Sequence, residues 1–150
     1  METAESTVAA RPAGLFRRLF SSFYDALILV ALWMLITALW LPVTGGEALS
    51  SGHWYYPLYQ TTLFIAAYAY FVLSWIRGGQ TIGMRAWRLR VRSNDGTPPR
   101  LLSASTRFFI AILSWAVLGV GFLWSFFDGQ KRTWHDIYSD TVLLHEPKRR

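Results

Sequence analysis

The chain has 150 residues, 53% of them hydrophobic, with 8 Trp, no cysteine and a net charge of +6. The missing cysteine excludes a disulfide framework, a thiolate metal site and a cysteine nucleophile. The basic excess flanks apolar runs, where a juxtamembrane surface accounts for it without nucleic acid, and the hydrophobic share is rich for a soluble domain of this size.

Residues 1–14 are polar or small, carry Pro12 and Gly14, and read as a disordered leader. Arg17 and Arg18 then precede an uncharged run, 26–42, in the manner of an export signal. The run exceeds a usual signal core, Asp25 interrupts its start and no clear A-x-A site follows, so it reads as a retained helix. Two further runs, 57–76 and 108–127, also lack charge. Each matches the roughly 20 helical residues that cross about 30 Å of hydrocarbon. Trp40, Trp54, Tyr55 and Tyr56 gather around the loop 43–56, and Trp75 ends the second run beside Arg77, as two aromatic belts would. Trp33 and Trp115 sit mid-run as packing residues, and Ala66, Ala67 and Ala69 offer a close-approach face.

Beyond the second run, Gly78 and Gly79 release the helix, and Thr81 is placed to cap a short turn carrying Met84, Arg85 and Trp87. From Trp87 to Arg92 apolar residues alternate with arginine, a period of two that predicts a strand with Trp87, Leu89 and Val91 on one face. Asn94, Asp95 and Gly96 signal a turn, and Pro98 and Pro99 prevent a helix before Arg100. A second β-prone stretch, Thr141 to Leu144, is a pairing partner for the first if both lie on one side of the membrane.

The basic residues decide orientation. Three precede the first run (Arg11, Arg17, Arg18), none lies in 43–56, seven lie in 77–107 and five follow residue 127. The positive-inside rule places 43–56 outside, with the N-terminus and the 77–107 loop cytoplasmic. A straight third crossing would export the five-charge tail. A re-entrant hairpin broken at Gly119 and Gly121 keeps all fifteen basic residues on one side, and the charge count favours it. The expected fold is an all-α integral membrane protein of the bacterial inner membrane. It has two transmembrane helices, a third hydrophobic segment that re-enters or crosses, and a small cytoplasmic two-strand element.

Asp25 is the first candidate for chemistry, because an acid at the edge of hydrocarbon needs a partner or a hydrated cavity. Arg18 and Ser22 share its helix stripe, and Arg107 is an alternative counter-ion. A structural salt link and an ion-coupling role explain Asp25 equally well. Asp136, in Trp134-His135-Asp136, is placed to anchor the tail through Arg85, Arg88 or Arg107. The histidines have no metal-binding spacing, and no G-x-S-x-G, P-loop or GxGxxG occurs, so no catalytic, metal or cofactor site is expected.

With these residues singled out, the chain resembles the RDD family of small bacterial membrane proteins, named for one arginine and two aspartates. The likeness runs over residues 15–145, followed by a basic tail at 146–150. It rests on "RRLFSSFYDALIL", "GGQTIGMRAWRLRV" before the "NDG" turn, "LGVGFLW" and "RTWHDIYSDTVLL". It implies that Arg18 is the helix-start arginine and that Asp25 and Asp136 are the two aspartates. Met84 and Arg85 stand where many relatives carry a lysine and an arginine. For function the resemblance implies little: transport of some ligand is suggested, with cation/proton antiport proposed for some relatives.

Two expectations follow. Arg18, Asp25, Arg107 and Asp136 form one polar cluster at the cytoplasmic boundary. Arg77, Arg85, Arg88, Arg90 and Arg92 form a basic loop facing anionic headgroups. The protein is then a transporter or transport accessory, acting as a homo-oligomer or beside a larger membrane partner. The rival is an assembly module that binds lipid and a partner through its arginine face.

Overall fold

A computed structural model describes residues 11–46, 50–117 and 119–146. The elements run β1 (Arg11–Pro12), α1 (Leu15–Trp40), α2 (Tyr56–Gly78), α3 (Ile82–Ala86), β2 (Leu89–Ser93), α4 (Leu101–Ala116), α5 (Val120–Leu123), a 3-10 turn (Trp124–Phe126), α6 (Trp134–Tyr138) and β3 (Thr141–His145).

Helix α1 contains neither Gly nor Pro and continues for 26 residues, from Gly14 at its N-cap to Leu41 just before Pro42. At 1.5 Å per residue that is about 39 Å, more than a hydrocarbon core requires. Its side chains are distributed inside out for a water-soluble helix: the buried ones are Arg18, Ser21 and Asp25. Leu27, Val30, Met34, Leu35 and Leu39 are exposed. A helix that buries Arg18 and Asp25 while displaying its aliphatics has an apolar solvent. Among the described residues α1 is the one unbroken helix both long and apolar enough to cross a membrane. Helix α2, expected to be a second span, has the length at 23 residues but falls short by that composition measure. The reason is polar side chains in its first turns, Tyr59, Gln60, Thr61 and Thr62.

The third hydrophobic run is bent. Helix α4 and the α5 to 3-10 segment meet at 107°. Gly119, at φ +75°, supplies the left-handed backbone that turns the chain. Gly121 lets the two arms close, since a Cβ there would lie 2.7 Å from Ser114 Cβ and 3.2 Å from Trp134 Cε3.

Strands β2 and β3 pair antiparallel from Leu89 opposite His145 to Ser93 opposite Thr141. The alternation ahead of Arg92 accordingly aims Leu89 and Val91 inward, where both are fully buried. Trp87 lies outside the strand; it closes α3 and stacks on Phe20 at 5.1 Å. A third strand was not expected. Arg11 and Pro12, inside the supposed leader, add to the far edge of β3, giving the order β1-β3-β2. Proline is tolerated there because an edge strand needs no donor on its outer side. The rest of the leader, 1–10, and the tail beyond Glu146 fall outside the described residues. The core under the sheet joins Ala13, Val72, Trp75, Met84, Leu89, Val91, Ala104, Phe108 and Leu143. It therefore draws on the N-terminal segment, α2, α3, α4 and both long strands. Trp75, expected in an aromatic belt, is 4% exposed and belongs to this core.

Candidate functional site

Two buried polar nodes tie the elements together, and each is built by different ones. The first is centred on Asp136. The stretch Thr133 to Asp136 forms a capping box in which Asp136 N–H donates to the Thr133 side chain and Thr133 N–H donates to Asp136 Oδ2 at 3.1 Å. This fixes the carboxylate at the start of α6. Arg18 Nη1 donates to Oδ2 at 2.6 Å, and Arg107 Nη1 donates to Oδ1. Arg18 is itself held by Ala13 O at 3.1 Å and Lys131 O at 3.0 Å. Arg107 also donates to Thr141 Oγ1 at 2.9 Å and lies 5.4 Å from the Trp75 ring centroid. One carboxylate thus joins α1, α4, α6 and the start of β3. Burial alone would raise Asp136, but Arg107 and Arg18 more than offset it and hold the group well below the usual carboxylate range.

The second node is Asp25. Its Oδ1 accepts from Tyr70 OH at 2.7 Å and Gly83 N–H at 2.9 Å, and its Oδ2 accepts from Thr81 OH at 2.5 Å. Thr81 simultaneously accepts from Met84 N–H at 3.2 Å, the helix cap its position predicted. Gly83 is what lets α3 lie on α1: a Cβ there would sit 2.8 Å from Asp25 Cγ and closer still to the Ser21 carbonyl.

Three of the four clustered residues therefore come together, and the fourth does not. Arg18, Arg107 and Asp136 share one node, whereas Asp25 binds hydroxyls and a backbone N–H. Arg107 is not its counter-ion, because its Nη1 is taken by Asp136 and Thr141 of the tail. Asp136 is met by Arg107 and Arg18 rather than by Arg85 or Arg88, which lie exposed. The basic loop is also divided: Arg77, Arg85 and Arg88 are exposed, whereas Arg90 reaches Glu146 at 3.2 Å and Arg92 reaches it at 3.9 Å. Tyr70, Thr81, Thr133 and Trp75 were missed as site residues. Thr133-x-x-Asp136 is a capping-box spacing that marks the first node in the sequence. Nothing in the local pattern joins Tyr70 to Asp25. Among the described residues no group of three or more His, Asp or Glu converges to hold a metal ion.

The RDD family model matches residues 12–140. The chain belongs to the RDD family. Searches of curated proteins and of solved structures returned no match. Family membership and the apolar α1 make this RDD protein membrane-associated. The match spans both nodes and ends at Asp140, just before β3.

His135 adds a pH dependence to the first node of the RDD chain. Burial, reinforced by Arg107, pushes its imidazole down to about 3. A free imidazole titrates near 6.5, so below that pH the unfolded chain holds one proton more than the folded one, and stability rises with pH in this window. Unfolding free energy is expected to fall by about 2 kcal/mol between pH 7.5 and pH 5. His135→Phe should flatten that slope in detergent-solubilised protein. A parent slope left unchanged by the substitution would mean that the ring is not buried neutral.

Proposed function

We propose that this protein is a non-catalytic, multi-pass module of the bacterial inner membrane whose role is assembly with lipid and a membrane partner, not ion conduction. The observation that carries the reading is the state of the two acids. Asp25 accepts from three donors, and Asp136 from two arginines and a backbone N–H. A carboxylate offers about four lone-pair sites, so both groups are nearly saturated by contacts that tie elements together. Such groups serve as latches.

The sheet supports a topology of two crossings and a re-entrant hairpin with both termini cytoplasmic. One sheet contains residues from before α1, after α2 and after α5, and paired strands cannot lie on opposite faces of a bilayer. The 107° bend returns the third run to the side it came from. Helix α2 suits lipid despite its polar residues, because Thr61 and Thr62 donate to Pro57 O at 2.8 Å and Leu58 O at 2.9 Å, and Tyr59 OH lies 2.8 Å from Thr37 Oγ1. On the cytoplasmic side a groove of about 600 Å³ sets Arg77 and Arg85 beside Leu32, Leu73 and Ile82. Arginine above apolar wall suits an anionic headgroup, each charge contributing about 1 kcal/mol. Oligomerisation or a larger partner would cover the aliphatic face of α1.

Reconstituted vesicles separate this reading from transport. The parent protein is expected to pass no more protons or monovalent cations than empty vesicles, with Asp25→Asn indistinguishable from it. A flux that disappears in Asp25→Asn would replace the assembly reading with ion coupling at that residue.

A further inference from the structure

The groove that holds Arg77 and Arg85 has a direction. Ala66, Ala69, Tyr70, Leu73, Ser74 and Arg77 of its wall come from α2 at spacings of three and four, which puts them on one face of that helix. From Ala66 to Arg77 the stripe runs about 16 Å along the axis, close to one leaflet of a hydrocarbon core of about 30 Å. It starts near the middle of α2 and ends in its last turn. Helix α1 closes the deep end through Leu32, and the neighbouring Trp33 donates from Nε1 to Leu63 O at 3.0 Å, holding the two helices in this register. Helix α3 closes the shallow end with Ile82 and Arg85, one turn apart on its exposed face, while its Gly83 and Met84 are buried.

The groove is apolar where it is deep and basic where it is shallow. Its uncharged polar groups are engaged within the protein: Ser74 OH donates to Tyr70 O at 2.5 Å, Tyr70 OH to Asp25 at 2.7 Å and Gln80 Nε2 to Leu89 O at 2.7 Å. The two guanidinium groups are not. Arg77 and Arg85 are exposed, so a ligand reaches them, and neither has an acid partner among the described residues. Elsewhere Arg18 and Arg107 share Asp136, Arg90 and Arg92 share Glu146, and Arg132 takes Asp128. No acid lines the groove. Asp25 stands behind Tyr70, and its one carboxylate against two guanidinium groups leaves the shallow end positive. Two guanidinium groups at one site suit the oxygens of a phosphate, which each can take in paired hydrogen bonds. A zwitterionic head would bring its ammonium to a wall that offers it no acid.

We infer that this groove is a discrete site for one anionic phospholipid of the cytoplasmic leaflet, with its phosphate at Arg77 and Arg85 and one acyl chain along Leu73, Ala69 and Ala66. The inference rests on the lipid-binding reading above and sharpens it, from an attraction of the whole arginine face to a site that takes one lipid per chain.

The test uses the full chain in non-ionic detergent, titrated with dioleoylphosphatidylglycerol or dioleoylphosphatidylcholine, with bound lipids counted by native mass spectrometry. One phosphatidylglycerol per chain is expected to bind ahead of any further lipid, phosphatidylcholine is expected to bind more weakly, and excess inorganic phosphate is expected not to displace the bound lipid. Arg77→Gln/Arg85→Gln should weaken phosphatidylglycerol binding about thirtyfold. Arg17→Gln/Arg100→Gln removes two exposed arginines that do not line the groove and should leave binding unchanged. Ala69→Leu narrows the apolar stripe and should weaken binding about fivefold or more. Melting curves confirm that the variants fold, and the arginine pairs, which alter exposed side chains alone, decide the matter if Ala69→Leu does not. Equal losses in the two arginine pairs would overturn the discrete site and leave the general attraction to lipid standing. No preference for phosphatidylglycerol over phosphatidylcholine in the parent would overturn both. Displacement by inorganic phosphate, or unchanged binding in a folded Ala69→Leu, would overturn a lipid seated along α2.

Discussion

Asp136→Ala is expected to lower the unfolding free energy by about 3–5 kcal/mol, the range seen when one partner of a buried ion pair is removed. The variant leaves Arg18 and Arg107 buried with no anion between them, and it also removes the side-chain half of the capping box. Arg107→Ala should cost less, because Asp136 then keeps a one-to-one pair with Arg18. The order of the two losses is therefore diagnostic. Asp25→Ala should be separately destabilising and additive with Asp136→Ala, since the two acids share no partner. Denaturation curves in detergent would measure the parent, the three single variants and the Asp25→Ala/Asp136→Ala double variant. Asp136→Ala melting like the parent, or Arg107→Ala proving the more damaging, would mean that Asp136 does not hold the elements together.

Gly83→Ala is the second large loss, expected at about 3 kcal/mol, toward the upper end for overpacking. The new Cβ meets the Ser21 carbonyl and the Asp25 carboxyl carbon, so α3 must move away from α1. That movement also lengthens the Gly83 N–H contact to Asp25, leaving a buried carboxylate short of a donor. Gly78→Ala provides the control. It lies near the end of α2 with open space about it, and exchanging glycine for alanine in a helix is neutral or mildly favourable there. Equal melting temperatures for the two variants would show that α3 does not rest on α1 as described.

Much of this arrangement is legible in the sequence because its signals are local. The period of two before Arg92, the glycine pairs at 78–79 and 119–121, and Thr81 at a helix start each act within one turn, and each reappears as β2, a helix end, the bend of the third run and a cap. The β-prone stretch Thr141 to Leu144 likewise reappears as β3, paired with β2. The failures are long-range. Asp25 and Arg107 have opposite charges at one boundary, which made pairing attractive on paper. The choice between Asp25 and Asp136 for Arg107 depends on where α6 docks, and no periodicity encodes that. Arg11 and Pro12 became a strand because β3 had a free edge, a property of the folded sheet and not of those two residues. Trp75 was read as interfacial from its place at the end of an apolar run; the sheet packed beneath it removed it from the interface.

The account depends most on the tail returning to the side of the membrane from which the chain starts. Reporters fused after Arg150, one active only in the cytoplasm and one only outside, test this directly. The account predicts that the cytoplasmic reporter alone is active, as it must be if β3 pairs with both β1 and β2. Activity of the outside reporter alone would make the third run a full crossing, and would dismantle the sheet, the Asp136 node and the hairpin together.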